Sequence, residues 1–145
     1  MSAVDPGRLA VVRADYAQCF GCGLDNGAGL RIDGFDVDGV TVAAWFRPGA
    51  QHRGFQGILH GGIVATALDE ILAWTAILVA RTMAVTATLD LKYRAPAPGD
   101  AIYRLEGRLV EQRGRRLVLS GHCEVGNTRI AEARGLFLAT EPVEL

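Results

Sequence analysis

The sequence predicts an α+β domain in which an antiparallel sheet wraps one long helix. Three observations predict it. Residues 60–80 are apolar on nearly every side, as a helix enclosed by a sheet would be. Strand-like runs, one of them with clean period-two alternation, flank that segment. Turn dipeptides separate the runs at Asp38-Gly39, Arg113-Gly114 and Gly126-Asn127. The length of 145 residues suits one domain with a single core, and no repeat, charge block or low-complexity linker divides the chain.

Residues 1–29 are rich in glycine and read as loop with one short helix. "LRIDGFDVDG" and "VTVAAWFRP" follow as two strands joined in a hairpin at Asp38-Gly39, and "GAQHRGFQGI" is a loop. After the helix, "MAVTATLDLKYRAP" alternates, with Val85, Ala87, Leu89, Leu91 and Tyr93 expected on one face. Thr86, Thr88, Asp90 and Lys92 are expected on the other. Pro96, Pro98 and Gly99-Asp100 punctuate, and "AIYRLEGRLVEQ", "RRLVLSGHCEV" and "RIAEARGLFLATE" supply three further strands. Consecutive strands pair most simply as antiparallel hairpins.

Composition excludes several classes of function. Half of the residues are hydrophobic and 21% are charged, an ordinary globular balance. A net charge of −1 leaves no basic excess for nucleic acid. The first thirty residues lack a basic start followed by an apolar core, so the protein is expected in the cytoplasm rather than exported. Residues 61–80 raise the membrane question. Asp69 and Glu70 sit at their centre, however, and two acids at mid-bilayer cost several kcal/mol, so a buried core helix and no membrane partner are expected.

Three cysteines, an odd number, fit a reducing compartment without a disulfide framework. Cys19 and Cys22 form a C-x-x-C in "CFGCG", but no second ligand pair follows at comparable spacing; His122-Cys123 is the one candidate, far along the chain. Neither a metal nor a redox dithiol is expected there. Cys123, on a strand, reads as packing rather than as a nucleophile.

The chemistry concentrates in "LHGGIVATALDEILAW", where the helix opens on His-Gly-Gly and carries Asp69 within its apolar part. A helix N-terminus offers unsatisfied N–H groups and partial positive charge, and glycine lets a ligand approach the backbone. That pattern suits an oxyanion hole. No Gly-x-Ser-x-Gly elbow is present, which excludes the α/β-hydrolase mechanism.

"GILHGGIVATALDE" followed by "TATLDLKYRAPAPGD" resembles the hotdog-fold acyl-CoA thioesterases, in particular the phenylacetate-pathway (PaaI-like) branch. "CFGCGLDNGAGL" resembles an opening found in a subset of that branch, with Asn26-Gly27 where the family has Asn-Pro. The resemblance implies a curved antiparallel sheet around the helix, sites at a dimer interface, and hydrolysis of an acyl-CoA thioester to acid and coenzyme A without a further cofactor. By position it implies that Gly61 and Gly62 supply the oxyanion N–H and that Asp69 is general base or nucleophile. It further implies that Thr86 helps hold the attacking water, and that His60 and Asn26 lie near the thioester carbonyl.

Phosphates of coenzyme A would want cations at the site mouth, and Arg81, Lys92, Arg94, Arg113, Arg115 and Arg116 are available. Gly61 and Asp69 lie too far apart along one helix, roughly 12 Å, to serve one carbonyl. A homodimer with shared sites is therefore expected, its dimers pairing further into a tetramer. Two alternatives stand beside hydrolysis. A hydratase would need a Gly-Asp-x-Asn-Pro-x-His type motif, and "APGDAI" lacks the Asn and His. A non-catalytic acyl-CoA binder would be expected to carry an output module, for which this length leaves no room, and has little reason to keep Asp69.

Overall fold

The computed structural model describes residues 4–145. A short helix α1 (Pro6–Ala14) is capped by Asp5, whose carboxylate accepts the N–H groups of Gly7 and Arg8. The hairpin β1 (Asp33–Asp38) and β2 (Thr41–Phe46) follows, then helix α2 (Gly61–Val79). Strands β3 (Thr82–Tyr93), β4 (Tyr103–Arg113), β5 (Arg116–Val125) and β6 (Thr128–Pro142) complete the chain. The sheet order is β1-β2-β4-β5-β6-β3, antiparallel throughout. The expected fold class is the observed one.

Helix α2 lies across one face of this sheet and touches β2 through β6. Its side chains Leu68, Ile71, Leu72 and Thr75 are buried against Tyr103, Leu105, Leu117, Leu119 and Phe137 of the sheet. Each such leucine contributes about 1.5–3 kcal/mol by leaving water. Truncating Leu72 to alanine would cost about 2–5 kcal/mol, because a cavity adds to the lost transfer energy. Glycines on the sheet set how closely the helix sits. A Cβ on Gly107 would lie 2.2 Å from Thr75 Oγ1, and one on Gly121 would lie 3.0 Å from Leu72 Cδ2. By length and composition α2 could cross a membrane, yet here it is the core helix of the domain.

The N-terminal segment packs over the part of α2 that the sheet leaves open. Arg13 ties it down: its guanidinium donates to Asp33 at 2.6 Å and to the carbonyls of Cys22 and Ile32, and lies over the rings of Phe35 and Trp74. Trp74 is therefore core, packed on Phe35 at 4.6 Å between ring centres.

One sequence expectation fails on β3. The alternation does not run unbroken, because the register with β6 shifts between Thr86 and Thr88. Thr86 pairs with the buried Phe137, and Leu89 with Gly135, both on the helix side of the sheet. The extra residue, Ala87, reverses the parity, so Thr86 faces the helix together with Leu89, Leu91 and Tyr93 rather than opposite them. Val85 pairs with Leu138 and faces away.

Candidate active site

Helix α2 begins at a built turn. The N–H of Leu59 bonds Ala97 O at 2.7 Å and that of His60 bonds His52 O at 3.0 Å, which places the chain before its first helical residue. His60 is the N-cap, extended at φ −61° and ψ 135°, and its Nδ1 accepts the Gly62 N–H at 2.8 Å. The N–H groups of Ile63 and Val64 both reach His60 O. Among the described residues this leaves the Gly61 N–H without an acceptor. The two glycines are thus not equivalent: Gly62 is capped by His60, and Gly61 presents the donor.

The hydroxyl of Tyr93 donates to Gly61 O at 2.6 Å and fixes that end of the helix to the end of β3. Beside it opens a pocket of about 460 Å³ lined by Leu59, Gly61, Val64, Tyr93 and Ala97, among others. A larger hollow, about 640 Å³, lies on the outer face of the sheet among Lys92, Glu106, His122 and Arg134, away from α2.

Further along the helix, Asp69 is half-buried and receives the Thr86 hydroxyl at 2.6 Å. The β3 bulge makes this contact, since unbroken alternation would have aimed Thr86 to the far side. The pair is placed to orient a carboxylate while the threonine oxygen keeps lone pairs for a water. Along β3, Thr86 and Tyr93 are roughly 23 Å apart at ~3.3 Å per residue. The helix contacts them at Asp69 and Gly61 respectively, so within one chain the acid and the glycine N–H attend different places.

Glu70, the next residue, has another environment. It lies under the 19–23 loop, where Cys19 Sγ–H donates to its Oε1 at 3.5 Å. Burial pushes its carboxyl up, the Cys19 and Cys22 thiols lower it, and the charge of Asp69 raises it again; the net direction is upward. Burial also raises the Cys22 thiol, helped by the negative charge of Glu70. Tight backbone packing brings the loop there. A Cβ on Gly21 would lie 2.0 Å from Glu70 Cγ, and one on Gly23 2.4 Å from Ala17 O.

Of the remaining predicted residues, Arg94 borders the pocket beside Gly61. Asn26 Nδ2 donates to Gln18 O at 3.0 Å and its Oδ1 accepts the Ala28 N–H, so both ends of the amide hold its own loop. Arg81, at the α2–β3 junction, donates to Leu145 O at 2.9 Å. Lys92 is on the outer face, and Arg94 is paired with Glu132. Arg113, Arg115 and Arg116 flank the exposed β4–β5 turn, with Arg115 Nε on Ala139 O at 3.0 Å. The structure gathers His60, Gly61 and Gly62 at one place and Asp69 with Thr86 at another, and of the predicted cations Arg94 lines the pocket beside Gly61. Cys123 is buried, and burial pushes its thiol up to about 11, which removes it as a nucleophile near neutral pH.

Sequence reading missed Tyr93 as the anchor of Gly61 and Glu70 as the partner of the two thiols. Tyr93 was visible only as a strand residue. Glu70 was visible only as the second acid of "DE".

A six-stranded antiparallel sheet around a long helix that opens on His-Gly-Gly and presents an acid to a strand hydroxyl defines a hotdog-fold protein. The chain belongs to the thioesterase superfamily, whose family description matches residues 56–131, just over half of its length. It is 30% identical over 144 residues to a bovine (Bos taurus) protein named acyl-coenzyme A thioesterase THEM4, which covers 96% of this chain and 58% of that one. Its length is a little over half that of this relative and of the mouse (Mus musculus) THEM4. Among solved structures, a thioesterase superfamily protein from Shewanella loihica is 25% identical with a TM-score of 0.66, covering 77% of this chain and 91% of that one. A Streptococcus mutans protein solved bound to acetyl CoA shares the fold, with a TM-score of 0.69 at 20% identity over 77% of this chain and 93% of that one.

Proposed function

We propose that the protein hydrolyses an acyl-CoA thioester, with each active site shared between two copies of the chain. The observation that carries this is the Thr86–Asp69 hydrogen bond, formed in a thioesterase-superfamily fold at a place its own helix N-terminus does not reach. The bovine relative named for acyl-CoA thioesterase activity and the acetyl-CoA-bound neighbour support the substrate class. The "CFGCG" opening supports the PaaI-like branch.

The dimer follows from an edge. Strand β3 ends the sheet order, so one side of its twelve residues has no strand beside it among the described residues. Two copies joined antiparallel along β3, about an axis between Leu89 and Asp90, set Thr86 of one opposite Tyr93 of the other. Each Asp69 then meets the partner subunit's Gly61, and the pocket beside that glycine opens toward the carboxylate. Two equivalent sites result.

In such a site the partner's Gly61 N–H takes the charge that develops on the thioester oxygen. Asp69 removes a proton from water, or attacks the carbonyl carbon itself, while Thr86 orients its carboxylate. The carbon–sulfur bond then breaks. In the general-base route coenzyme A leaves as a thiol with the proton passed back from Asp69. In the nucleophilic route it leaves as a thiolate protonated from solvent, after which water hydrolyses the Asp69 anhydride to free acid and carboxylate. His60 acts one step away, by holding the helix start that presents the N–H. Three free cysteines among the described residues fit a reducing, cytoplasmic setting.

A thiol-release assay over a panel of aryl, short and long acyl-CoAs tests the reading. Turnover of at least one member at enzymatic rates is expected. Tight binding across the panel with no release of thiol would make the protein a binder and end the proposal.

A further inference from the structure

We propose that Cys19, Cys22 and Glu70 form a binding site for a thiophilic divalent cation of the zinc class. Their ligand atoms, two sulfurs and a carboxylate oxygen, lie within 4.8 Å of one another. The separation of Cys19 Sγ and Glu70 Oε1 is 3.5 Å. A tetrahedral zinc with Zn–S of about 2.3 Å and Zn–O of about 2.0 Å places those atoms about 3.5 Å apart, so the pair already stands at ligand spacing. The donors come from two elements that meet only in the folded state. The C-x-x-C supplies the sulfurs from a loop, and α2 supplies the oxygen one residue after Asp69.

The surroundings favour a cation. Cys22 is buried and Glu70 is covered by the Gly21 backbone, which approaches so closely that no side chain fits between. Two thiolates and a carboxylate crowded in this way repel one another and are poorly hydrated, whereas a bound dication offsets both penalties. Binding replaces the thiol protons of Cys19 and Cys22 and any proton held by the Glu70 carboxyl, all of which leave to solvent, and a water takes the fourth position. The cluster then keeps one net negative charge, and the Arg13 guanidinium donates to the carbonyl of Cys22 next to it. Soft sulfur donors select zinc over magnesium or calcium.

The consequence is a clamp. The loop that precedes β1 would be fastened to the helix that carries Asp69, in addition to the Arg13 contacts. The expectation of no metal rested on the lack of a second cysteine or histidine pair in the sequence; the third donor is an acid reached only through the fold. The inference does not depend on the thioesterase reading.

The test uses the full chain, loaded with zinc chloride, desalted and analysed for metal. The expected result is about one zinc per chain in the wild type and in Cys123→Ser, with less than about a tenth of that in Cys19→Ser and Cys22→Ser. Cobalt loading should give a thiolate-to-cobalt charge-transfer band in the same two proteins that hold zinc. In the wild type, zinc should protect Cys19 and Cys22 from alkylation, mapped by mass spectrometry, which keeps the test open if the serine variants fail to fold. Wild-type protein that retains no zinc and shows no protection overturns the site. So does zinc that survives in a folded Cys19→Ser, Cys22→Ser double variant.

Discussion

Asp69 and Glu70 are consecutive acids on one apolar helix, and the fold gives them opposite surroundings. One step along an α-helix turns a side chain by about 100°. Asp69 looks toward β3 and receives a hydroxyl from Thr86. Glu70 looks toward the N-terminal loop, where two thiols and the Gly21 backbone cover it and burial favours its neutral form. What an acid can do is therefore set by what is laid over it. A dipeptide that reads as one polar interruption becomes two acids in separate surroundings.

The comparison breaks most sharply at Asp69. Asp69→Asn keeps shape and hydrogen bonding but loses the charge, and should lower kcat by roughly 10²–10⁴-fold on the best acyl-CoA. Folding, checked by circular dichroism, should be retained. Wild-type kcat in the folded variant would remove Asp69 from the chemistry.

In the proposed dimer, the donor that would face it should matter nearly as much. Gly61 is the first residue of α2, where proline is well tolerated, and His60 before it is already extended, as a residue preceding proline must be. Gly61→Pro should fold and lose about 10²–10³-fold in kcat through the missing N–H. Gly61→Ala keeps the N–H, and its Cβ meets nothing nearer than Tyr93 Oη at 3.7 Å, so it should stay active. Mixing inactive Asp69→Ala with inactive Gly61→Pro, then letting subunits re-pair at random, should restore about a quarter of wild-type activity. Half of the dimers are then mixed, and each holds one intact site. No recovery in dimers shown to be mixed places the whole site within one chain.

Thr86 sharpens the comparison at lower amplitude. A hydrogen bond to a charged group contributes about 1.5–3 kcal/mol, so Thr86→Val should cost roughly 10–100-fold in kcat, with Thr86→Ser close to wild type. Equal losses in both variants would show that packing, not the hydroxyl, is what matters.

On the Glu70 side the effect falls on stability. Gly21→Ala drives a Cβ into Glu70 and should cost about 1–3 kcal/mol, read as a lowered Tm. Gly27→Ala, whose Cβ would find only Arg31 Nη2 at 3.7 Å, is the control. An unchanged Tm in Gly21→Ala would show that the loop does not press on the helix.

The smallest effect belongs to Asp33. Burial works against its charge, but the Gly34 N–H and the Arg13 guanidinium outweigh burial and hold the carboxyl below its ordinary value. Its contribution is therefore present above that ordinary value and is lost as pH falls through the lowered one. Asp33→Asn should make acid unfolding slightly shallower, measured by Tm between neutral pH and the acid limit. An unchanged acid limb would show that the exposed pair with Arg13 contributes nothing.

Much of this was legible in the sequence for local reasons. The hairpin at Asp38-Gly39, the start of α2 after His60 and the late strands follow from turn residues, capping and periodicity, which act over a few positions. The side of β3 on which Thr86 falls was not legible, because a bulge depends on how β6 pairs with it, and nothing in "VTATLD" announces the extra residue. Nor was the inequality of Gly61 and Gly62, which turns on one rotamer of His60.

The sequence by itself determined the architecture and placed Asp69 inside its apolar helix. An apolar helix of this length must be enclosed, alternating strands must enclose it, and a carboxylate inside it calls for a polar partner. Tertiary structure alone decided which groups the acids meet. Thr86, Tyr93, Cys19 and Cys22 lie 17 to 51 residues from their partners on α2 along the chain. Local propensity carries no information about contacts at such separations; the closing of the sheet over the helix creates them.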